Sequence, residues 1–206
     1  MSGPFERYSD ADVAALIAGY PLAWVIGDAA DPAAVCQLPM IGEYDAAGRL
    51  VSLIGHMARR NPLHAHFTAN PRALFLFSGP NGYISPQHAD RRDWAPTWNF
   101  AHLRIAAAVA FDEALTDAAL DALIDAEEGG RARPWRAAEL GARRDKLAAM
   151  IIGFRAGVES VHGRFKLGQD EQPETFRAIV THHPDPELRS WMERFAARRN
   201  DGGEPK

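Results

Sequence analysis

The spacing of apolar and polar residues predicts one early helix followed by a series of short β-strands. Ser9 is the expected N-cap of that helix, with an acidic residue three positions later, and Gly19-Tyr20-Pro21 ends it. Apolar runs bounded by Gly, Pro and Asn then indicate five strands. They lie at about 22–26, 34–44, 50–56, 72–77 (resuming at 83–85 after a turn at 79–82) and 98–111. Strands joined by hairpin signals are typical of a barrel rather than a parallel α/β sheet.

The second half of the chain combines helical patterns with a return to strand. The predicted elements are a helical insertion at about 116–150, returning strands at about 153–168 with a hairpin turn at 162–163, and C-terminal helices at about 172–199. Within the insertion, a second helix is expected over 134–150. The last helix begins at Asp185-Pro186, a cap followed by a first-turn proline. The pattern predicts one mainly β domain over residues 1–206, with a helical C-terminal part.

Composition and charge argue against several classes of function. The formal charge of −4 at pH 7 lacks the basic excess with which proteins neutralise DNA phosphates, so specific duplex DNA binding is not expected. Cys36 is the only cysteine, which rules out an internal disulfide or a thiolate metal cluster. No apolar run approaches the roughly 20 residues of a membrane helix, and the N-terminus lacks the apolar core of a signal peptide. We therefore expect a cytoplasmic protein without membrane contacts.

The segment 55–62 concentrates polar residues directly after a predicted strand. It places His56, Arg59 and Arg60 beside glycine and proline. Loop amides and guanidinium forks suit a phosphate, whose oxygens accept paired hydrogen bonds. A solvated turn with surface arginines explains the same spacing and is the more common arrangement. The residues alone leave both interpretations open.

Two other segments combine flat or charged side chains with hydrogen-bonding groups. Thr97 and Trp98 offer a hydroxyl and an indole face, although a core tryptophan at the start of a strand is the commoner case. Lys166 and Gln169 lie near the end of a returning strand, where a lysine also protects a sheet edge from aggregation. Neither segment identifies a ligand by itself.

The eight histidines raise the question of a metal site. His64 and His66 share a face if their segment is extended, and His182 and His183 form a second pair. A zinc site needs three or four converging ligands, and nothing in the spacing provides convergence. The small apolar neighbours of Cys36 favour a packed thiol over a nucleophile. We therefore predict neither a metal nor a catalytic cysteine.

Four collinear motifs carry a resemblance that no single segment has. They are GHMARRNP at 55–62, SGPNGYISP at 78–86, PTWN at 96–99, and IGF at 152–154 followed by GRFKLGQ at 163–169. In this order, within about 4–180, they resemble the FMN-binding negative transcriptional regulator (PaiB-like) family. That family is similar to the pyridoxamine-phosphate-oxidase-like proteins. The resemblance implies an FMN-binding split β-barrel of Greek-key type, with FMN at each end of a homodimer interface.

The resemblance assigns the FMN phosphate to the loop from His56 to Asn61. If the chain leaves the strand in an extended conformation, Arg59 and Arg60 point to opposite faces, and Arg59 is favoured because Met57 then shares its face and lies against the ring. The complete implied cofactor-binding set is Gln37, His56, Met57, Arg59, Arg60, Asn61, Tyr83, Ser85, Thr97, Trp98, Lys166 and Gln169. No catalytic residue is predicted.

The sequence departs from the family pattern mainly on the substrate side of the implied pocket. The family has histidine where this chain has Gln37, serine where it has Gly168, asparagine where it has Asp170, and an aromatic pair where it has Gln87-His88. Three functions stay open. They are a regulator acting through bound flavin or a partner rather than direct DNA contact, a flavin-dependent oxidoreductase acting on a small molecule or haem, and a metal or haem binder using His64, His66 and His182.

Overall fold

The computed structural model describes residues 3–28 and 30–196, which form an antiparallel sheet with helices around it. The strands are β1 Leu22–Ile26, β2 Val35–Pro39, β3 Ile41–Tyr44, β4 Leu50–Ala58, β5 Arg72–Ile84, β6 Thr97–Phe111 and β7 Ile151–Lys166. Their order in the sheet is β2-β1-β5-β6-β7-β4-β3. The described helices are α1 Asp10–Gly19, α2 Pro62–Ala69, α3 Leu115–Glu128, α4 Arg143–Ala148, α5 Pro173–His182 and α6 Pro186–Ala196. The predicted class, mainly β with added helices, is confirmed.

The chain divides into two compact units, which we describe separately. The central unit comprises residues 9–77 and 103–162, and the terminal unit comprises residues 1–8, 78–102 and 163–206, as far as they are described. Strands β5, β6 and β7 each contribute residues to both units. The single domain expected from the sequence stays a prediction. None of the described helices combines the length and apolar character that a bilayer span requires.

Strand alternation builds the core of the central unit. In β1, Ala23 and Val25 are fully buried, whereas Leu22 and Trp24 point away from the core. Phe75 of β5 lies opposite Val25 and is also fully buried. Successive side chains of a strand point to opposite faces, so one face of β1 and β5 forms the core and the other stays open. Helix α1 begins at Ser9 as predicted, where the backbone N–H of Ser9 donates to Asp12 Oδ2 at 2.8 Å.

An aromatic cluster packs the terminal unit. The predicted apolar stripe of α6 is confirmed, with Leu188, Met192 and Phe195 all buried. Phe165 at the end of β7 stacks on Phe195, with ring centroids 4.9 Å apart, and on Trp191 at 6.2 Å. Stacked rings of this kind add stability beyond the apolar area they bury. This cluster attaches the C-terminal helix to the strand that carries Lys166.

Two turns expected from glycine lie inside long strands. The motif at 79–82 belongs to β5, and the hairpin expected at 162–163 is absent because β7 continues through it. A Cβ built on Gly163 would lie 2.9 Å from Tyr8 Cε1, and one on Gly82 would lie 2.8 Å from Leu188 Cδ2. These glycines leave room for neighbouring side chains, a role that glycine has in strands as well as in turns.

Three other predicted elements have different boundaries. The strand expected over 34–44 is two strands, β2 and β3, because the chain leaves the sheet at Met40 after Pro39. Only a 3₁₀ turn at Ala137–Leu140 and the short α4 occupy the helix expected over 134–150. Helix α2 was not predicted, although Asn61-Pro62 is an ordinary helix start of cap and first-turn proline.

Candidate functional site

The twelve residues implied by the resemblance fall equally into the two units. The central unit contains Gln37, His56, Met57, Arg59, Arg60 and Asn61, and the terminal unit contains Tyr83, Ser85, Thr97, Trp98, Lys166 and Gln169. Each group is described by itself, beginning with the central unit. Their cofactor roles stay predictions.

The segment predicted as a loop begins inside a strand and ends at a helix. Gly55, His56 and Met57 belong to β4, and only Arg59 and Arg60 form a turn before Asn61 caps α2. The extended exit assumed from the sequence is therefore wrong. The side chains of Arg59 and Arg60 diverge because of the turn and not because of strand alternation.

Asn61 organises the start of α2. Its Oδ1 accepts the backbone N–H of Leu63 at 3.0 Å, and its backbone N–H donates to Ala58 O at 2.8 Å. Its Nδ2 donates to Cys36 Sγ at 3.4 Å, which joins the turn to β2. Because Pro62 has no N–H and the N–H groups of Leu63 and His64 both donate to Asn61, only the helix dipole favours an anion here, and this alone does not define a site.

All three guanidinium nitrogens of Arg59 donate to other parts of the central unit. Its Nη1 donates to Glu113 Oε1 at 2.6 Å, and its Nη2 donates to Glu113 Oε2. Its Nε donates to Ala149 O at 3.1 Å, and its backbone N–H donates to Met150 O at 3.0 Å. The hydrogen bond with Glu113 raises the pKa of Arg59 and, in return, Arg59 lowers the pKa of Glu113.

Arg60 has different surroundings from its neighbour. Its side chain is exposed and has no hydrogen-bond or ion-pair partner within the described part of the chain. It directly precedes Asn61, the cap of α2. Of the two arginines, Arg60 is the one whose guanidinium fork is open to an incoming anion.

His56 and Met57 lie on opposite faces of β4. Met57 is buried in the core at 2% exposure, so its side chain offers little surface to a ligand. His56 lies opposite Gly153 of β7. Its Nδ1 is buried with no hydrogen-bond partner among the described residues, and burial lowers the pKa of its imidazole. Arg59 lies in the turn after β4, so the strand alternation that would place Met57 and Arg59 on one face does not extend to it.

Gln37 and its neighbour Cys36, which contacts the turn, lie on opposite faces of β2. Gln37 lies opposite Trp24 on the open face of the sheet and is exposed. Its neighbour Cys36, on the other face of β2, accepts the hydrogen bond from Asn61. The sequence pattern indicated only a packed thiol at Cys36 and gave no signal of this contact. Glu113 was missed as well, because a partner 54 positions from Arg59 leaves no local signal.

In the terminal unit, the structure brings Thr97, Trp98 and Lys166 together. Lys166 Nζ donates to Thr97 Oγ1 and to Trp98 O at 3.2 Å. The side chain of Trp98 is half exposed, and Tyr83 lies beside it with ring centroids 6.1 Å apart. Phe100 and His102 continue the same face as a stacked pair at 5.5 Å. We call these four rings the aromatic strip.

The aromatic strip borders a shallow cavity of about 260 Å³. Trp98, Phe100 and His102 line it together with Ser78 and Asn81. The lining combines flat ring faces with hydroxyl and amide groups and contains no Lys, Arg, Asp or Glu side chain. Such a lining suits a planar ring that forms a few hydrogen bonds.

Ser85 and Gln169 both shape turns. Ser85 Oγ accepts the backbone N–H of Gln87 at 3.2 Å. Gln169 Oε1 accepts the N–H of Leu167 at 2.8 Å, and its Nε2 donates to Phe165 O. Gly168, which lies between Leu167 and Gln169, has φ +83°, in the left-handed region. The departure from the family serine at Gly168 therefore has a backbone reason.

The histidines expected to share an extended face lie on a helix. His64 and His66 both belong to α2, so their side chains do not alternate as in a strand. His66 Nε2 is buried without a hydrogen-bond partner in the described structure. Within residues 3–28 and 30–196, no group of three or more His, Cys, Asp or Glu side chains is arranged to hold a metal ion.

Comparison with known proteins identifies a family and a relative. Residues 1–160 match the family model FMN_bind_2, described as "Putative FMN-binding domain". The Bacillus subtilis (strain 168) "Protease synthase and sporulation protein PAI 2" is 27% identical over 132 residues. That match covers 62% of this chain and 62% of the relative, so the chain spans less than two thirds of that protein's length.

Two solved structures share the fold at low sequence identity. The FAD and haem binding protein from Mycobacterium smegmatis has a TM-score of 0.59 and 15% identity, over 78% of this chain and 72% of that one. The flavocytochrome Anf3 from Azotobacter vinelandii has a TM-score of 0.54 and 18% identity, over 77% and 68%. These likenesses concern the fold alone, and the predicted split β-barrel is confirmed.

Proposed function

The chain belongs to the family of FMN-binding domains whose model matches residues 1–160, and from this premise we propose that it is a regulatory flavoprotein that works as a homodimer. FMN is its cofactor by family membership. The structural observation that supports the proposal is the open guanidinium of Arg60 beside the Asn61-capped start of α2. A free cation and a helix start together suit the dianionic phosphate of FMN.

The residues of the central unit fit a phosphate better than they fit a flavin ring. Arg60 supplies charge and a planar fork, and the positive end of the α2 dipole adds a favourable potential, although the N–H groups of Leu63 and His64 are already bonded to Asn61. Asn61 holds the turn in place through its contacts with Leu63 and Cys36. Met57 is buried and therefore contributes packing rather than ring contact.

When bound, FMN supplies one- and two-electron redox chemistry, while the protein binds and orients it. In the central unit, Arg60 would neutralise phosphate charge, and Asn61 holds the turn and the start of α2 in place. In the terminal unit, the aromatic strip offers flat faces, and Lys166 is held in place by Thr97. We assign no proton transfer to any side chain.

The open face of the central unit supports the proposed homodimer. Leu22 and Trp24 are 52% and 45% exposed, and Leu74 lies on the same face of the neighbouring strand. An exposed apolar patch of this kind is usually covered by a partner. A second copy of the chain is the proposed occupant, and we expect the interface to exceed about 1,200 Å² of buried surface.

Regulation through a partner or a metabolite fits the charges better than direct DNA contact. The net charge is −4, and several arginines are already paired with carboxylates, including Arg59, Arg144 and Arg155. DNA affinity comes from neutralising phosphates with basic side chains, so the acidic balance and these pairs do not favour direct contact. We propose a cytoplasmic location, which is compatible with the single cysteine, Cys36.

A second candidate function, a flavin-dependent oxidoreductase, is supported by the aromatic strip. Trp98 and Tyr83 are large exposed rings, and exposed aromatic side chains beside polar groups are common in ligand sites. The strip suits a planar substrate, such as an aromatic small molecule or haem. No acid or base in the described residues is positioned to carry a catalytic proton.

The absorbance spectrum of the purified protein tests the proposal. Flavin bands, with FMN released on denaturation, support it, whereas a haem Soret band or no chromophore contradicts it. Anaerobic titration with NADH and NADPH then separates the candidates, because rapid bleaching of the flavin favours the oxidoreductase. Fluorescence anisotropy with duplex DNA at physiological salt should show binding no tighter than about 10⁻⁶ M. A nanomolar, sequence-dependent complex contradicts partner-mediated regulation.

A further inference from the structure

The sequence pattern favoured Arg59 as the phosphate ligand, yet its contacts in the structure show another use. Both terminal nitrogens donate to Glu113, Nε donates to Ala149 O, and the backbone N–H donates to Met150 O. Its carbonyl oxygen accepts a hydrogen bond from His64 Nδ1 at 3.1 Å. Five contacts therefore connect one residue to α2 and to the segments that precede α3 and follow α4.

We infer that Arg59 and Glu113 form a positioning pair that sets the conformation of the phosphate-binding turn, while Arg60 contacts the phosphate. This inference rests on the proposed function only for the identity of the ligand. Three of the five guanidinium N–H donors of Arg59 are used, one on each nitrogen, so a phosphate that binds this fork through two hydrogen bonds competes with Glu113 or with Ala149 O. Arg60 has no such contacts to lose within the described chain.

The alternative is that Glu113 occupies the place of a phosphate and is displaced when FMN binds. The two possibilities predict opposite signs for the same substitution. If Glu113 competes with phosphate, Glu113→Gln frees Arg59 and strengthens FMN binding. If the pair positions the turn, Glu113→Gln loosens the turn and weakens FMN binding. The contact of Arg59 Nε with Ala149 O favours positioning, because it is independent of Glu113.

The chain offers a matched control in the same place. Arg59, Glu113, Asp117 and Arg144 line one open surface cavity of about 330 Å³. Asp117 accepts from Arg144 at 2.7 Å, so it is also an exposed carboxylate paired with an arginine. Asp117→Asn removes the same charge from the same surface but leaves the contacts of Arg59 intact. It therefore measures the effect of net charge alone.

The experiment compares the Kd values of FMN and riboflavin by flavin fluorescence quenching. For Glu113→Gln we expect FMN affinity to fall about two- to fivefold, the range of an exposed ion pair, with riboflavin unchanged. Combining it with Arg59→Ala should add little to Arg59→Ala alone, because both remove the same pair. Asp117→Asn should change neither affinity. Tighter FMN binding by Glu113→Gln, an unchanged affinity, or additive effects would overturn the inference.

A second measurement does not depend on FMN. The amide of Arg59 donates to Met150 O, and the amide of Asn61 donates to Ala58 O. Glu113→Gln should accelerate hydrogen exchange at both amides, and Asp117→Asn should not. If the wild-type protein binds no FMN, the proposed function fails, but faster exchange still supports the positioning pair. Unchanged exchange contradicts the pair whatever the protein binds.

Discussion

Arg59 and Arg60 show that adjacent residues of one type can have different roles. Arg59 is committed to Glu113 and Ala149, whereas Arg60 is exposed without a partner in the described structure. The sequence pattern favoured Arg59 because it assumed an extended exit from β4. The turn removes that reason, and the open fork of Arg60 supports it as the phosphate contact.

The first prediction concerns the relative effects of the two arginines. Arg60→Ala should weaken FMN binding about ten- to hundredfold, the value of one charge-assisted hydrogen bond, and should leave riboflavin affinity unchanged. Arg59→Ala should have a smaller effect on FMN. Fluorescence titration with both ligands measures this. Equal FMN affinities for wild type and Arg60→Ala would place the phosphate elsewhere.

The second prediction separates backbone strain from packing at Gly168. Gly168 and Gly48 have nearly equal φ angles of +83° and +81°. A Cβ on Gly168 would lie 3.2 Å from Phe176 Cδ2, whereas nothing lies within 4 Å at Gly48. Gly48→Ala should lower the free energy of unfolding by about 1 kcal/mol, and Gly168→Ala should lower it further. Chemical denaturation of both variants gives the difference. Equal losses would mean that Phe176 adjusts freely.

At the scale of elements, a pair of histidines fastens the junction of α5 and α6 to the end of β5. The rings of His88 and His183 meet edge to face at 4.9 Å. His88 Nδ1 accepts the N–H of Ser85, and His183 Nδ1 accepts the N–H of Asp185, both at 3.2 Å. Each ring therefore carries its proton on Nε2, and His183 Nε2 lies 3.3 Å from Tyr83 O. Protonation of His88 Nδ1 breaks its contact with the N–H of Ser85.

The third prediction follows from this arrangement. Burial, and then the charges of His183 and His182, lower the pKa of His88. The unfolded state therefore binds more protons than the folded state once the pH falls below about 6.5, the ordinary value. The stabilisation is complete above that pH and is lost as the pH falls toward the folded-state pKa. Burial lowers the pKa of His56 too, and its contribution has the same sign.

Urea denaturation between pH 7.5 and pH 5.5 tests the prediction. We expect the wild-type free energy of unfolding to fall with pH across this interval. His88→Gln should reduce the dependence without abolishing it, because His56 remains. His162→Gln, at an exposed histidine of β7, is the control and should leave the slope unchanged. An identical slope in His88→Gln would rule out the pair as a source of the pH dependence.

At the scale of the whole molecule, the exposed apolar face of β1 and β5 bears on whether the chain is a monomer or a dimer. Ala23, Val25 and Phe75 build the core on one face, so Leu22 and Trp24 must point outward. Apolar burial is worth roughly 25 cal/mol per Å², so covering this face with a second copy is favourable.

The fourth prediction is that Trp24→Glu converts a dimer into a monomer. A buried unpaired charge at an interface is costly, so association should be lost at micromolar concentrations. Val51→Glu is a matched control, because Val51 is also 45% exposed but lies on β4. Light scattering reports the mass of each variant. A monomeric wild type with flavin bound, or a dimeric Trp24→Glu, contradicts this interface.

Local patterns determined those parts of the molecule whose signals are short-range. The alternation in β1, the Ser9 cap of α1 and the apolar stripe of α6 all appear in the structure as predicted. The four collinear motifs indicated the fold and the cofactor, and the family match confirms FMN binding as the family's property. These features depend on residues a few positions apart, or on motif order, which a sequence displays directly.

Tertiary structure alone decided the features that depend on distant neighbours. Gly82 and Gly163 belong to continuous strands because Leu188 and Tyr8 pack against their backbones. The side chain of Arg59 donates hydrogen bonds to Glu113, and the side chain of Asn61 donates one to Cys36. Which arginine is free for a phosphate is thus set by partners far along the chain. Side-chain contacts of that kind form only when folding brings separate segments together, and no local spacing encodes them.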